Sequence, residues 1–438
     1  AKIDPDLPPD YNATPEILRA QDRLHNLLMD LSIFDEKCCK GNRAHQDQLA
    51  GLVWEFRDIF ATDPRVVLAN SGVQHSIPTG DARPIKLRRY RRSPHERKII
   101  DKAVAKMLRD DVIRKCSSPW AAQVVLTRKP DGSWRFCTDY SKLAKVTVKD
   151  CYPLPRVETV INATADSTYL STHDLSSGYW QVAMSKRDGS HLKTAFVTER
   201  GQYCYNVMPF GLTNASATMQ RMVDDALAPI LWKSCAAYID DCVVYTKGSF
   251  KAHLQALRDF YTLVRKAGLH IKPTKCFLAR ERVELLGHVV DGNTRSPTDE
   301  NMAAVKDYAR PTTRKKLRSF MGLASYFRDY ASYFSDVAAP LYELLNSSKR
   351  VANAWNKHHE HSFQNIKRVL TSRPLLRLPR YGPKDGQFEV QTDASGCGLG
   401  AVLLQYPSRA DGTKGTPFPV AYRSRGMTKT ERGYDTPK

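Results

Sequence analysis

Apolar residues recur along the chain at two alternating periods, and the switches between them mark its elements. Helical spacing runs through 15–33, where Leu18, Leu24, Leu27, Leu28 and Leu31 share a face, and through 47–60, with Leu49, Leu52, Val53, Phe56 and Phe60. Ser93-Pro94-His95-Glu96 reads as a capping box with proline in the first turn, and Ile100, Val104, Met107 and Leu108 carry that helix to about Asp110. Further helices are expected from Thr213 or Asn214 to about Ala226, over 252–267 and over 312–330. Strand-like runs lie between them. They predict a hairpin over 119–140 with Asp131-Gly132 at its turn, a strand entering Asp174, β-rich 194–211, a hairpin-like 283–290 and a new β region from 387 to 405. The Pro- and Asp-rich 4–10 and the polar stretches 340–356 and 371–386 read as linkers.

One β run contains an acidic pair. From Cys235 to Tyr245, apolar residues flank Asp240-Asp241 on both sides, which predicts two short strands with the acids at the tip. An arbitrary Asp-Asp is usually a solvated turn. Here both flanks are apolar, and buried paired carboxylates are costly unless a cation offsets them. A third acid, Asp174, ends another apolar strand. Together the three suggest a divalent-metal site.

Composition narrows the partners. The chain has 438 residues, enough for about three domains, with 67 Lys and Arg against 46 acids and a net charge of +21. Such a surface attracts polyanions, with nucleic acid first among them. A membrane-surface protein would fit the charge, but no long apolar run and no signal peptide is evident, so no membrane partner is expected. A basic run, Arg83, Lys86, Arg88, Arg89, Arg91 and Arg92 around Tyr90, suits either a solvated face or phosphate tracking. The ten cysteines form no C-x-x-C pair and read as free thiols of a reducing compartment. His358, His359 and His361 lack partners at metal-ligand spacing and read as a polar helix face. A chain beginning at Ala1 without Met reads as a piece of a longer product.

Seven motifs in order resemble a reverse transcriptase of gypsy-type LTR retrotransposons. They are Ser118-Pro119-Trp120, 129–135, Asp139-Tyr140, 174–179, 208–214, 238–241 and Leu286-Gly287-His288. The resemblance runs from about Phe56 to the C-terminus. It implies an α+β right-hand polymerase, with fingers over 51–165, palm over 166–289 and thumb over 290–345. A connection over 346–385 and a partial ribonuclease H-like domain over 386–438 follow, with 1–50 as an N-terminal linker or helical segment.

The same resemblance implies an RNA-directed DNA polymerase that also copies DNA, using two Mg²⁺ or Mn²⁺ ions on Asp174, Asp240 and Asp241. Lys129 and Arg135 would hold the incoming triphosphate. Tyr179 would exclude a 2′-hydroxyl, with Phe210 beside the same pocket. Leu286, Gly287 and His288 would grip the primer, and Asp393 matches the first ribonuclease H ligand. Its partners would be an RNA or DNA template with primer, deoxynucleoside triphosphates and, as the family's usual primer, a tRNA. A homodimer is allowed, and the setting would be a cytoplasmic virus-like particle with a nuclear phase. The chain stops before a second ribonuclease H acid, so that activity is not expected from it alone. Ser141, Ala144 and Ser216 depart from the family's Arg, Asn and Pro. Those departures keep a second reading open, a repurposed nucleic-acid-binding derivative. A viral-type RNA polymerase fits less well, because the bulk of Tyr179 should reject ribonucleotides.

Overall fold

Side-chain caps at Asn42, Ser93, Ser249, Thr298, Thr313 and Asn356 set the starts of six helices among the described residues. The structure is a computed structural model and describes residues 37–60, 68–70, 72–128, 132–176, 178–372, 375–382, 385–395, 398–408, 413–428 and 430–433. The expected linker 4–10, the helix 15–33 and Lys129 lie outside the described residues. The chain divides into two compact units. The first holds residues up to Ala163 together with Tyr169–Arg280, and the second holds Thr164–Thr168 and Glu281 onward.

In the first unit, helix α1 (Arg43–Glu55) is followed by α2 (Pro94–Arg109). Helix α2 starts on the expected capping box, in which the Glu96 carboxylate accepts from the Ser93 N–H at 2.9 Å. Strands β1 (Gln123–Arg128) and β2 (Trp134–Asp139) form the predicted hairpin. Strand β3 (Tyr169–Asp174) follows, then β4 (Phe196–Thr198) and β5 (Gly201–Tyr205), helix α3 (Ala215–Leu227), β6 (Cys235–Tyr238), β7 (Asp241–Thr246), helix α4 (Phe250–Lys266) and β8 (Phe277–Arg280). The sheet that matters for function is antiparallel, in the order β8-β3-β7-β6. Its central strands are nearly fully buried, as their continuous apolar runs require. His253 on α4 bridges Ser171 on β3 and Thr246 on β7 at 2.8 and 2.9 Å, which fastens the helix across the sheet.

The second unit opens with the hairpin β9 (Val283–Leu285) and β10 (His288–Val290), joined by Leu286-Gly287. Both turn residues have positive φ, 49° and 77°, as a two-residue turn matched to strand twist demands. Strand β11 (Thr294–Pro297) extends this sheet. Helices α5 (Asp299–Lys306), α6 (Arg314–Tyr326), α7 (Phe334–Asn346) and α8 (Lys357–Thr371) then pack around Phe320, Phe327, Leu341 and Phe363. Strand β12 (Leu376–Arg377) pairs with β11. Strands β13 (Gln387–Ala394), β14 (Gly398–Tyr406) and β15 (Phe418–Gly426) form a separate antiparallel sheet. No helix among the described residues is long and apolar enough to cross a membrane.

The linker expected over 340–356 is wrong. Most of it is helical, and Leu341, Leu344 and Val351 are buried. Pro340 removes one amide donor inside α7, but the helical spacing of Ala338, Leu341 and Leu344 against the core outweighs that loss. The stretch 371–386 is mixed, holding the end of α8 and the short β12. The described cysteines are free thiols, and even the adjacent Cys38 and Cys39 keep their sulfurs 3.6 Å apart.

Leu341→Ala should therefore destabilise the protein by about 2–5 kcal/mol in chemical denaturation, the range for emptying a packed core site. An unchanged midpoint would restore the linker assignment.

Candidate active site

The acidic hairpin is held in place by its own apolar flanks. Ala236 and Ala237 on β6, with Cys242, Val243 and Val244 on β7, are buried, so only Ile239 and Asp240 are left to form the turn. Tyr238 pairs directly with Asp241 across that turn. Ile239 sits at φ 60°, a left-handed conformation that a β-branched residue resists. Two hydrogen bonds hold the turn there. The Ile239 N–H donates to Gln220 Oε1 on α3 at 2.7 Å, and the Leu175 N–H donates to the Asp240 carbonyl at 3.0 Å.

On the neighbouring strand, Asp174 stands directly opposite Asp241. Cross-strand partners lie about 4.5–5.5 Å apart at Cα, so residues 67 positions apart meet at one end of the sheet. Gly178 closes the group. A Cβ there would stand 3.1 Å from Asp240 Cβ and 2.9 Å from the flexible Met219 Cε, so a side chain at this position would press the turn away from Asp240 unless both gave slightly.

The cluster repels itself. Burial pushes the Asp241 carboxyl up to about 6, and the charges of Asp240 and Asp174 act in the same direction. Asp240 is raised too, by burial first and then by Asp174. Lys275 donates to Asp174 Oδ2 at 2.7 Å, and that hydrogen bond raises its ammonium. Lys275 is largely exposed, so this pair contributes at most about 1 kcal/mol.

A side-chain cation already stands beside one carboxylate, and the remaining donors are hard, partly desolvated oxygens. That set fits Mg²⁺ or Mn²⁺. Among the described residues, no three His, Cys, Asp or Glu side chains yet close on one ion position. The backbone register brings the acids to one end of the sheet.

Of the other expected site residues, Tyr179 lies next to Gly178 in a short 3₁₀ turn. Its hydroxyl is 3.0 Å from Ser216 Oγ, and its ring packs on exposed Phe210 at 5.2 Å. Asp240 raises the Tyr179 phenol after burial does, which brings the aromatic pair into the acids' field. Ser216, read as a departure from the family pattern, thus supplies a partner for Tyr179. Ser141, another departure, donates to Asp139 at 2.5 Å. Arg135 is exposed on β2, opposite Thr127. In the basic run, Arg92 pairs with Glu96, while Arg88, Arg89 and Arg91 are exposed.

Leu286, Gly287 and His288 belong to the second unit. There Tyr326 donates to the Leu286 carbonyl at 2.8 Å, Asn301 donates to that of Gly287 at 3.2 Å, and buried His288 stacks between Tyr326 and Tyr330. Asp393 is exposed near the end of β13. Sequence reasoning missed Lys275, Gln220 and Gly178. Only Gly178 left a trace, as a glycine four residues past Asp174.

Comparison with known proteins identifies two domains in the chain. Residues 127–290 match the model of "Reverse transcriptase (RNA-dependent DNA polymerase)", and residues 355–438 match "RNase H-like domain found in reverse transcriptase". The chain carries these two domains, and the relatives it resembles are Pol polyproteins of retrotransposons. Among its relatives is the retrovirus-related Pol polyprotein from transposon 297 of Drosophila melanogaster, 30% identical over 96% of this chain and 38% of that polyprotein. The polyprotein from transposon opus of the same organism is 31% identical, over 89% of this chain and 39% of its own length. The chain thus spans about two fifths of these relatives. Solved structures of the foamy viral protease-reverse transcriptase share the fold. The complex with RNA/DNA hybrid has a TM-score of 0.77 at 24% identity, over 98% of this chain and 55% of that one. The complex with dsDNA also has a TM-score of 0.77, at 23% identity, over 98% and 84%.

Asp241→Asn should raise the metal-free melting temperature at pH 8 by about 2–4 °C, because it removes a carboxylate held ionised against its neighbours. With a raised folded-state pKa, the wild type recovers as pH falls through about 6 and its own carboxyl protonates, so the advantage should shrink there. An advantage independent of pH would contradict the repulsion.

Proposed function

We propose that this chain is an RNA-directed DNA polymerase that extends a primer 3′-hydroxyl with deoxynucleotides on RNA and on DNA templates. The observation that carries the reading is the register of Asp241 against Asp174 with Asp240 in the adjoining turn, within a reverse transcriptase domain. Asp174, Asp240 and Asp241 would hold Mg²⁺ or Mn²⁺, and the bound ions supply neutralisation of charge on the attacking and leaving oxygens.

The chain's own residues do the rest. The strand register fixes the three acids relative to one another, and Lys275 limits their repulsion until they are loaded. Arg135 on β2, together with Lys129, would hold the incoming triphosphate. The ring of Tyr179, braced by Phe210 and Ser216, meets the nucleotide sugar and leaves no room for a 2′-hydroxyl. The Leu286–His288 turn, stiffened by Tyr326 and Asn301, supports the primer end. The net charge of +21 supplies long-range attraction for template and primer, with a tRNA as one source of primer. We assign 51–165 to fingers, 166–289 to palm and 290–345 to thumb. The ribonuclease H-like part carries Asp393 as a metal ligand.

Extension of a DNA primer on an RNA template should fall by at least about 10³-fold in Asp240→Asn while template binding is kept. Binding without metal-dependent extension by the native chain would instead favour a repurposed binding protein. Tyr179→Val should admit ribonucleotides in the same assay, and unchanged sugar discrimination would remove Tyr179 from that role.

A further inference from the structure

Gln220 is fully buried, yet every polar atom of its side chain is used. Its Oε1 accepts from the strained Ile239 amide at 2.7 Å. Its Nε2 donates to Asp224 Oδ1 at 2.8 Å and to the Ala237 carbonyl at 3.3 Å. A glutamine amide has one acceptor end and one donor end. Whatever accepts at the donor end therefore aims the oxygen at Ile239. Asp224 and the Ala237 carbonyl share that end, and Asp224 is the nearer acceptor, one helical turn along α3 and not itself one of the clustered acids.

Asp224 is held in turn. The Tyr152 hydroxyl donates to its other oxygen, Oδ2, at 2.6 Å. The segment bearing Tyr152 is clasped to α3 by Arg221, which donates to Asp150 at 2.8 Å and lies over the Tyr152 ring at 4.7 Å. A continuous chain of hydrogen bonds thus runs from Tyr152 through Asp224 and Gln220 to the residue preceding Asp240. Such a chain is stiff because each bond polarises the next.

We propose that Asp224 and Tyr152 are positioning residues. Through the Gln220 amide they hold Ile239 left-handed, and so fix where Asp240 presents its carboxylate. The proposal rests on the polymerase reading for its consequence but not for its geometry. A β-branched residue left without this support would relax toward ordinary β or helical angles. The Asp240 carboxylate would then leave its place beside Asp174 and Asp241.

The test uses the full chain with Asp224→Ala, Asp224→Asn and Tyr152→Phe. Ala favours the helix at this half-exposed position, so the first variant should fold. Asn keeps an amide oxygen for Gln220 and can turn its NH₂ to the Tyr152 oxygen, so it should rescue.

Hydrogen exchange of the Ile239 amide is read first, without metal or nucleotide. Asp224→Ala should speed that amide selectively, Tyr152→Phe should do so less, and Asp224→Asn should match wild type. In primer extension, Asp224→Ala should raise the Mg²⁺ concentration for half-maximal rate by about tenfold, with the nucleotide KM unchanged. Unchanged Ile239 exchange in Asp224→Ala would overturn the proposal. So would faster exchange across the whole sheet, or an Asp224→Asn variant as impaired as Asp224→Ala, which would make the effect one of charge. A native chain without polymerase activity would defeat the functional reading and leave the exchange test standing.

Discussion

Like charges facing each other across a single strand pair constrain everything else in the first unit. Asp241 lies opposite Asp174, and Asp240 is held one residue away by a backbone hydrogen bond to Leu175. No folding force favours that arrangement in itself. Burial and mutual repulsion both raise these carboxyls. The buried runs of β3, β6 and β7 and the two-residue turn at Ile239-Asp240 impose it, since turn length fixes which residues pair across the hairpin. The sheet is stable enough to force the acids together, and the resulting field is what a hard cation would relieve.

Support for the arrangement comes from residues with no charge to contribute to it. Gly178 lets the turn after β3 reach Asp240, and Gln220 holds Ile239 in a conformation it would not choose. His253 pins α4 to both central strands from behind. Strain is therefore concentrated in a two-residue turn and balanced by a rigid surround, the pattern expected where geometry must be kept without freedom to relax.

Much of this was legible in the sequence. The capping box at Ser93, the pairing of β1 with β2 and the strands flanking Asp240-Asp241 all follow from local pattern, because turn and cap residues act within a few positions. The acid cluster was legible as a suspicion only, since periodicity cannot say that Asp174 pairs with Asp241. The linker assigned to 340–356 failed because Pro340 and nearby polar residues masked a helix whose stability comes from tertiary burial of Leu341 and Leu344. Lys275 and Gln220 were invisible for a similar reason. One lysine among 67 basic residues and one glutamine on a helix gain meaning only from what lies across the sheet.

The most direct measurement is a titration of Mn²⁺ into the metal-free protein, followed by electron paramagnetic resonance of the free ion, for wild type and for Asp174→Asn, Asp240→Asn and Asp241→Asn. If one joint site is built by strand register, each substitution should weaken binding by at least about tenfold, with no nucleic acid or nucleotide present. Wild-type affinity retained in Asp174→Asn would mean that the upstream strand and the hairpin do not share a cation, and the account would fail.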